Sequence, residues 1–149
     1  MIARFFLLTL LAESLAVASL PTVIGPGSRQ SRTSSASSTA PRKGGNPEAA
    51  KIKNPISPSA DSIAAGKRSY QRLCIKCHGP EGKGDGTAVT KSEPSDLTGT
   101  KWDYGKSDGE IFTVIHDGIS EDMEAYSTRI SDADIWNLVN YLRTLRTET

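Results

Sequence analysis

The chain is poor in the side chains that ligate metals or carry electrons. Its 149 residues include two cysteines, two histidines and two methionines, and one of the methionines is Met1. Aromatic residues are only 6% of the total. No long hydrophobic run exists: the best stretch, Phe5 to Ala12, is stopped by Glu13 and falls well short of the ~20 residues that cross a bilayer as a helix. Nor is there an excess of one charge. Eighteen Lys+Arg against 17 Asp+Glu give a formal net charge of +1, which excludes the basic footprint of a nucleic-acid-binding protein. No segment reads as a strand and none repeats, which leaves an all-α class. The length suits one domain of ordinary size.

What is present is unevenly spread. Residues 1–46 carry five basic side chains and one acidic, net +4, whereas residues 47–149 carry thirteen against sixteen, net −3. The start reads as an export signal. Arg4 supplies the charged region, Phe5 to Ala12 the apolar region and Ala16-Val17-Ala18 the cleavage pattern, so residues 1–18 are expected to be a signal peptide. An uncleaved membrane anchor is the alternative, and the apolar run is too short for it. No cysteine follows the leader to carry a lipid. Export implies an oxidising compartment, periplasmic or otherwise outside the cytoplasm. Residues 28–46, SRQSRTSSASSTAPRKGGN, lack apolar periodicity. With Pro47, Pro55 and Pro58 keeping a helix from starting before about residue 58, they predict a disordered linker over 19–56. The folded domain is then 57–149, a small core that gains from a metal or cofactor staple.

Three helices follow from periodicity and caps. The first runs from about Ser59 to Cys74, with Ala64, Ala65, Tyr70 and Leu73 on its apolar side. The second runs from about Asp108 to Asp117, opened by the capping pair Ser107 and Glu110 and stopped by Gly118. The third, about Asp132 to Arg146, is capped by Ser131 and carries Ile135, Leu138, Val139, Leu142 and Leu145 at helical spacing. Acids at its start and Arg143 and Arg146 at its end suit the helix dipole. A glycine-rich loop separates the first two helices.

The scarce residues converge in Cys74-Ile75-Lys76-Cys77-His78. C-x-x-C-H is the attachment pattern of c-type haem. On one helical turn both thiols project from one side, where each can bond a haem vinyl group, and His78 brings its ring beneath the same porphyrin. A thioredoxin-like redox pair would follow a strand in a β-α-β pattern, and no strand precedes this one. A structural disulfide would not require His78. Zinc needs four suitably spaced ligands, and adjacent Cys77 and His78 with only His116 left supply them poorly.

Further features lie around the motif. Gly66 and Tyr70 precede Cys74 by eight and four residues, Leu138 and Tyr141 stand three apart in IWNLVNYLRTL, and CHGPEGKGDG and PSDLTGTKWDYGKSDGEIFTVIHDGI fill the span between. From about Asp61 to Leu145 the sequence thereby resembles the class I c-type cytochromes of bacteria. The resemblance implies a small single-domain fold, its N- and C-terminal helices packed crosswise around one covalently bound haem c. It implies thioethers from Cys74 and Cys77, and iron ligation by His78 and by a methionine on the loop before the last helix. Met123, in EDMEAY, stands there. Many relatives have proline after that methionine; this chain has Glu124, which implies a more labile iron–sulfur bond. Pro94 marks the region of a carbonyl that holds the proximal histidine. Leu97 is expected against the haem, and Trp102 and Tyr104 as donors to its propionates. His116 is read as solvated or near the propionates, the bis-histidine alternative being weaker, and Trp136 as core or interface.

A haem held by two axial side chains has no open position, so the expected function is one-electron transfer, as a carrier and not an enzyme. Partners would be exported or membrane-bound redox proteins: a dehydrogenase or reductase on one side, an oxidase on the other. Membrane association stays open, through an uncleaved N-terminus or through a complex. One alternative is a haem subunit of a larger respiratory or dehydrogenase complex. Another is a five-coordinate haem sensor or peroxidase, for which Glu124 and Arg129 are unsupported distal groups. Charge is polarised, +3 over residues 61–83 and −6 over residues 103–124, a dipole able to orient a partner.

Overall fold

The computed structural model describes residues 38–146. The expected signal peptide, the linker up to residue 37 and the last three residues lie outside that range. The elements are α1 (Pro47–Ala50), α2 (Ala60–Leu73), α3 (Ile75–His78), α4 (Asp108–Asp117) and α5 (Asp132–Leu145), with no strand among the described residues. The all-α class follows.

Each long helix begins where a side chain can satisfy its first free amides. Ser59 Oγ accepts from the Ser62 N–H at 3.2 Å ahead of α2. Ser107 with Glu110, and Ser131 with Asp134, form reciprocal capping boxes ahead of α4 and α5. The second helix has the expected bounds, and the other two end one residue sooner than expected.

The most extensive contact between helices is α2 against α5. The buried residues of α2 are Ser62, Gly66, Ser69 and Tyr70, one face at helical spacing. Gly66 is where the two backbones meet. A Cβ there would overlap the Asn137 carbonyl oxygen and stand 2.8 Å from Tyr141 Cβ. One turn on, the Tyr70 and Tyr141 rings pack with centroids 5.3 Å apart at 56°. Ile135, Leu138 and Val139 on α5 are almost fully enclosed, and Ile111 and Ile115 of α4 join the same core. A polar chain registers the helices: Asn140 Nδ2 donates to Ser62 Oγ (2.7 Å) and to the Ile56 carbonyl (3.0 Å), and Ser62 Oγ donates to Asn137 Oδ1 (2.8 Å).

The expected disorder does not hold for residues 38–56. Asn46 is 2% exposed. Its Nδ2 donates to the Ser38 and Ala40 carbonyls at 3.0 and 2.7 Å, and its Oδ1 accepts from the Glu48 N–H. Its own N–H donates to Glu110 Oε1 at 2.8 Å, and the Gly44 N–H to the Asp103 carbonyl at 2.7 Å. Ala49 packs fully buried in α1, which rests on α4. Pro47 does not prevent this helix; it opens it, at a position whose N–H needs no partner. The arm is ordered by backbone hydrogen bonds and one buried carboxylate, which a search for apolar periodicity does not detect.

Two outcomes are expected. Gly66→Ala forces α2 off α5 and costs about 1–3 kcal/mol in urea unfolding. Glu110 gains from the second effect of its surroundings: burial raises its pKa, but donors from Ser107, Asn46 and Lys106 outweigh burial and hold it below 4.5. A depressed carboxylate stabilises the fold above its unfolded pKa, and the gain is lost as pH falls through the folded value. Glu110→Gln should therefore lower stability at pH 7 by about 1–3 kcal/mol. The gap from the parent should close as pH drops below 4.5, measured by unfolding at a series of pH values.

Candidate haem site

Cys74 ends α2 and caps α3, so the motif lies at the corner between the two helices. The last carbonyls of a helix lack partners within it. Here the following loop folds back to supply them. Gly84 N–H donates to the His78 carbonyl (2.9 Å), Gly86 N–H to that of Cys77 (3.1 Å) and Ala88 N–H to that of Lys76 (2.8 Å). The Tyr70 hydroxyl donates to the Gly79 carbonyl at 2.7 Å. The five-residue motif is thus clamped by its own loop and by α2.

Eight of the residues singled out by sequence line one cavity: Cys74, Cys77, His78, Pro94, Leu97, Trp102, Tyr104 and Met123. The space they enclose is about 1150 Å³ with its open mouth included. Ile111, Val114 and Ile115 of α4 and Leu138 and Leu142 of α5 form apolar walls.

The tautomer of His78 follows from its neighbour. Nδ1 lies 3.1 Å from the Ser95 carbonyl oxygen. A carbonyl only accepts, so Nδ1 carries the proton and Nε2 keeps its lone pair. Burial lowers the pKa of His78, against the opposing effect of that hydrogen bond, which favours the neutral ring a metal requires. The carbonyl anticipated near Pro94 is thus that of Ser95, the next residue. Cys74 is pushed up to about 12 by burial and then by Cys77, with Arg129 opposing. It remains a thiol in an apolar wall, unlike the activated thiolate of a redox pair.

Met123 is half-buried against the core, on a loop held without proline. The Ile119 N–H donates to the Met123 carbonyl (2.9 Å), the Met123 N–H to Ser120 Oγ (3.2 Å) and the Tyr126 N–H to the Ile115 carbonyl (3.0 Å). Gly118 turns at φ +70°, and any Cβ there would strike the Met123–Ala125 backbone.

Trp102 and His116 each find a partner close by in the chain. Trp102 borders the cavity, but its indole N–H is donated to the Gly99 carbonyl at 2.9 Å, inside its own loop. His116 is not among the cavity residues: Asp117 Oδ1 is 2.6 Å from its Nδ1, and its ring stacks on Phe112, which stacks on Trp136 at 4.0 Å. Sequence reading missed Ser95 and Tyr126. The Tyr126 hydroxyl donates to the Leu73 carbonyl at 3.2 Å, tying the loop after Met123 to the end of α2. Neither residue belongs to a motif or a periodic face.

The residues fit a haem. Two thiols stand beside an imidazole with a free lone pair, a thioether sulfur belongs to the same cavity, and α4 and α5 give it apolar walls. Fold and site define the class, a c-type cytochrome domain whose cofactor is haem c. The chain belongs to the family described as Cytochrome C oxidase, cbb3-type, subunit III, whose model matches residues 61–142. It is 33% identical over 90 residues to the cbb3-type cytochrome c oxidase subunit CcoP of Azospirillum brasilense, 58% of this chain and 30% of that protein. Among solved structures it is similar to a chain of the Kuenenia stuttgartiensis reducing HAO-like protein complex Kustc0457/Kustc0458. There the TM-score is 0.58 and the identity 29%, over 64% of this chain and 50% of that one. The chain therefore spans half or less of the length of these relatives.

Replacing both Cys74 and Cys77 by alanine should abolish covalent attachment. After expression with a haem-attachment system, the parent should keep its haem colour through a denaturing gel, and the double variant should keep none.

Proposed function

We propose that the domain carries single electrons between redox proteins, through a haem anchored by Cys74 and Cys77 and ligated by His78 and Met123. The observation that carries this reading is that the chain's only methionine besides Met1 lines the same cavity as the C-x-x-C-H motif. A haem bound there supplies a reversible Fe(II)/Fe(III) couple. The protein's part is to hold the ligands still. The Ser95 carbonyl fixes the His78 ring and makes it a stronger donor. The hydrogen bonds around Met123 would hold its loop so that the thioether could serve as the second protein ligand. Apolar walls from α4 and α5 exclude water, and together with methionine ligation they favour the ferrous state. With His78 and Met123 both bound to the iron, no position would remain for peroxide or a diatomic gas, and on that ground the reading is a carrier and not an enzyme.

Likeness to an oxidase subunit supports a second form of the same reading, a haem subunit of a larger respiratory complex. In either form the domain works in the periplasm or otherwise outside the cytoplasm, and its partners are a dehydrogenase, a reductase or an oxidase. Redox encounters of this kind are small and transient. Among the described residues no helix is long and apolar enough to cross a membrane.

The test is Met123→Ala. The ferrous parent should resist carbon monoxide, and the variant should bind it on mixing and lose the weak long-wavelength ferric band of sulfur-ligated iron. A parent that binds carbon monoxide at once would move the sensor or peroxidase reading ahead.

A further inference from the structure

One interaction among the cavity-lining loops joins the segment leading to Ser95 with the loop that carries Met123. Asp122, next to Met123, directs a single carboxylate oxygen, Oδ2, at three donors: the Lys91 N–H (3.0 Å), the Ser92 N–H (3.2 Å) and the Ser92 hydroxyl (3.3 Å). Lys91 Nζ also pairs with Glu121. The segment so held continues through Pro94 to Ser95, whose carbonyl receives the His78 N–H. Ser92, Ser95, Asp122 and Met123 all line the cavity.

We propose that Asp122 is a positioning residue for iron ligation: its carboxylate clasps residues 91–92 and so holds the Met123 loop closed over the site. This rests on the reading that Met123 ligates iron. The backbone gives the loop its internal shape through Gly118, Ile119 and Ser120, but those bonds are local. They fix the turn without fixing its distance from the far wall. The Tyr126 hydroxyl ties the loop's exit to α2. Asp122 supplies the matching tie on the other side, across about thirty residues of chain. The Asp122 bonds and the Glu121–Lys91 pair both lie at the surface, but the Glu121 pair joins two mobile side-chain ends, and such exposed pairs contribute little. Backbone N–H groups aimed at a carboxylate form the stronger, charge-assisted kind of bond. Asp122 therefore carries the effect, and Lys91 contributes through its backbone.

The experiment uses the holo domain as parent, Asp122→Ala, Asp122→Asn, Lys91→Ala and Met123→Ala. Two readouts are compared: amide hydrogen exchange at residues 91 and 92, and the rate of carbon monoxide binding to ferrous protein. In Asp122→Ala, exchange and binding should both rise about tenfold, the worth of one charge-assisted bond. Asp122→Asn keeps an acceptor oxygen without the charge and should fall between parent and alanine, which separates the effect from general unfolding. Lys91→Ala should match the parent. If exchange rises in Asp122→Ala while binding stays at the parent rate, the clasp exists but does not position Met123, and the proposal is overturned. If exchange does not change, there is no clasp and it is overturned at the start. A parent already as fast as Met123→Ala overturns the ligation reading itself, and with it the proposal.

Discussion

The close meeting of α2 and α5 at Gly66 is the contact on which the rest depends. The C-x-x-C-H motif begins where α2 ends, so the angle and depth of α2 on α5 decide where both thiols and His78 stand. Only a residue without a side chain lets the Asn137 carbonyl come so near. The Tyr70 hydroxyl then carries that position forward to Gly79, just past the histidine. Leu138 and Leu142, on the same α5, furnish the opposing apolar wall. One helix pair therefore builds both the covalent side of the site and much of its lining.

The remaining wall is assembled from loops, which hold their shape by hydrogen bonds more than by apolar packing. The loop from Gly79 to Ala88 satisfies the end of α3, and the loop from Gly118 to Tyr126 closes on itself around Met123. Such loops are the less stable part of a small domain. Their order depends on donors and acceptors that a haem would shield from water on one side. The N-terminal arm adds to this frame: by bonding to Glu110 and Asp103 it braces the stretch that carries Trp102 and Tyr104.

Much of this was legible in the sequence because it rests on local chemistry. Capping pairs such as Ser107–Glu110 and the spacing of Ile135, Leu138 and Leu142 mark helices directly. The motif Cys74–His78 names its cofactor, and Met123 stands out because sulfur is scarce. What stayed hidden depends on contacts far apart in the chain. That the carbonyl meeting His78 belongs to Ser95 and not Pro94 is set by a loop path with no side-chain signature. The order of residues 38–56 comes from hydrogen bonds to partners far along the chain, among them a glutamate sixty-four positions from Asn46, and no periodic pattern records it. Trp102 has the right chemistry to reach a propionate, yet its N–H is satisfied within its own turn.

The central claim is a haem iron held between one imidazole and one thioether in both oxidation states. X-ray absorption at the iron edge of the holo domain tests it most directly. The account predicts a single sulfur scatterer alongside nitrogen ligands, retained on going from ferric to ferrous. A first shell of nitrogen alone, or a coordination number that falls in either state, would contradict it.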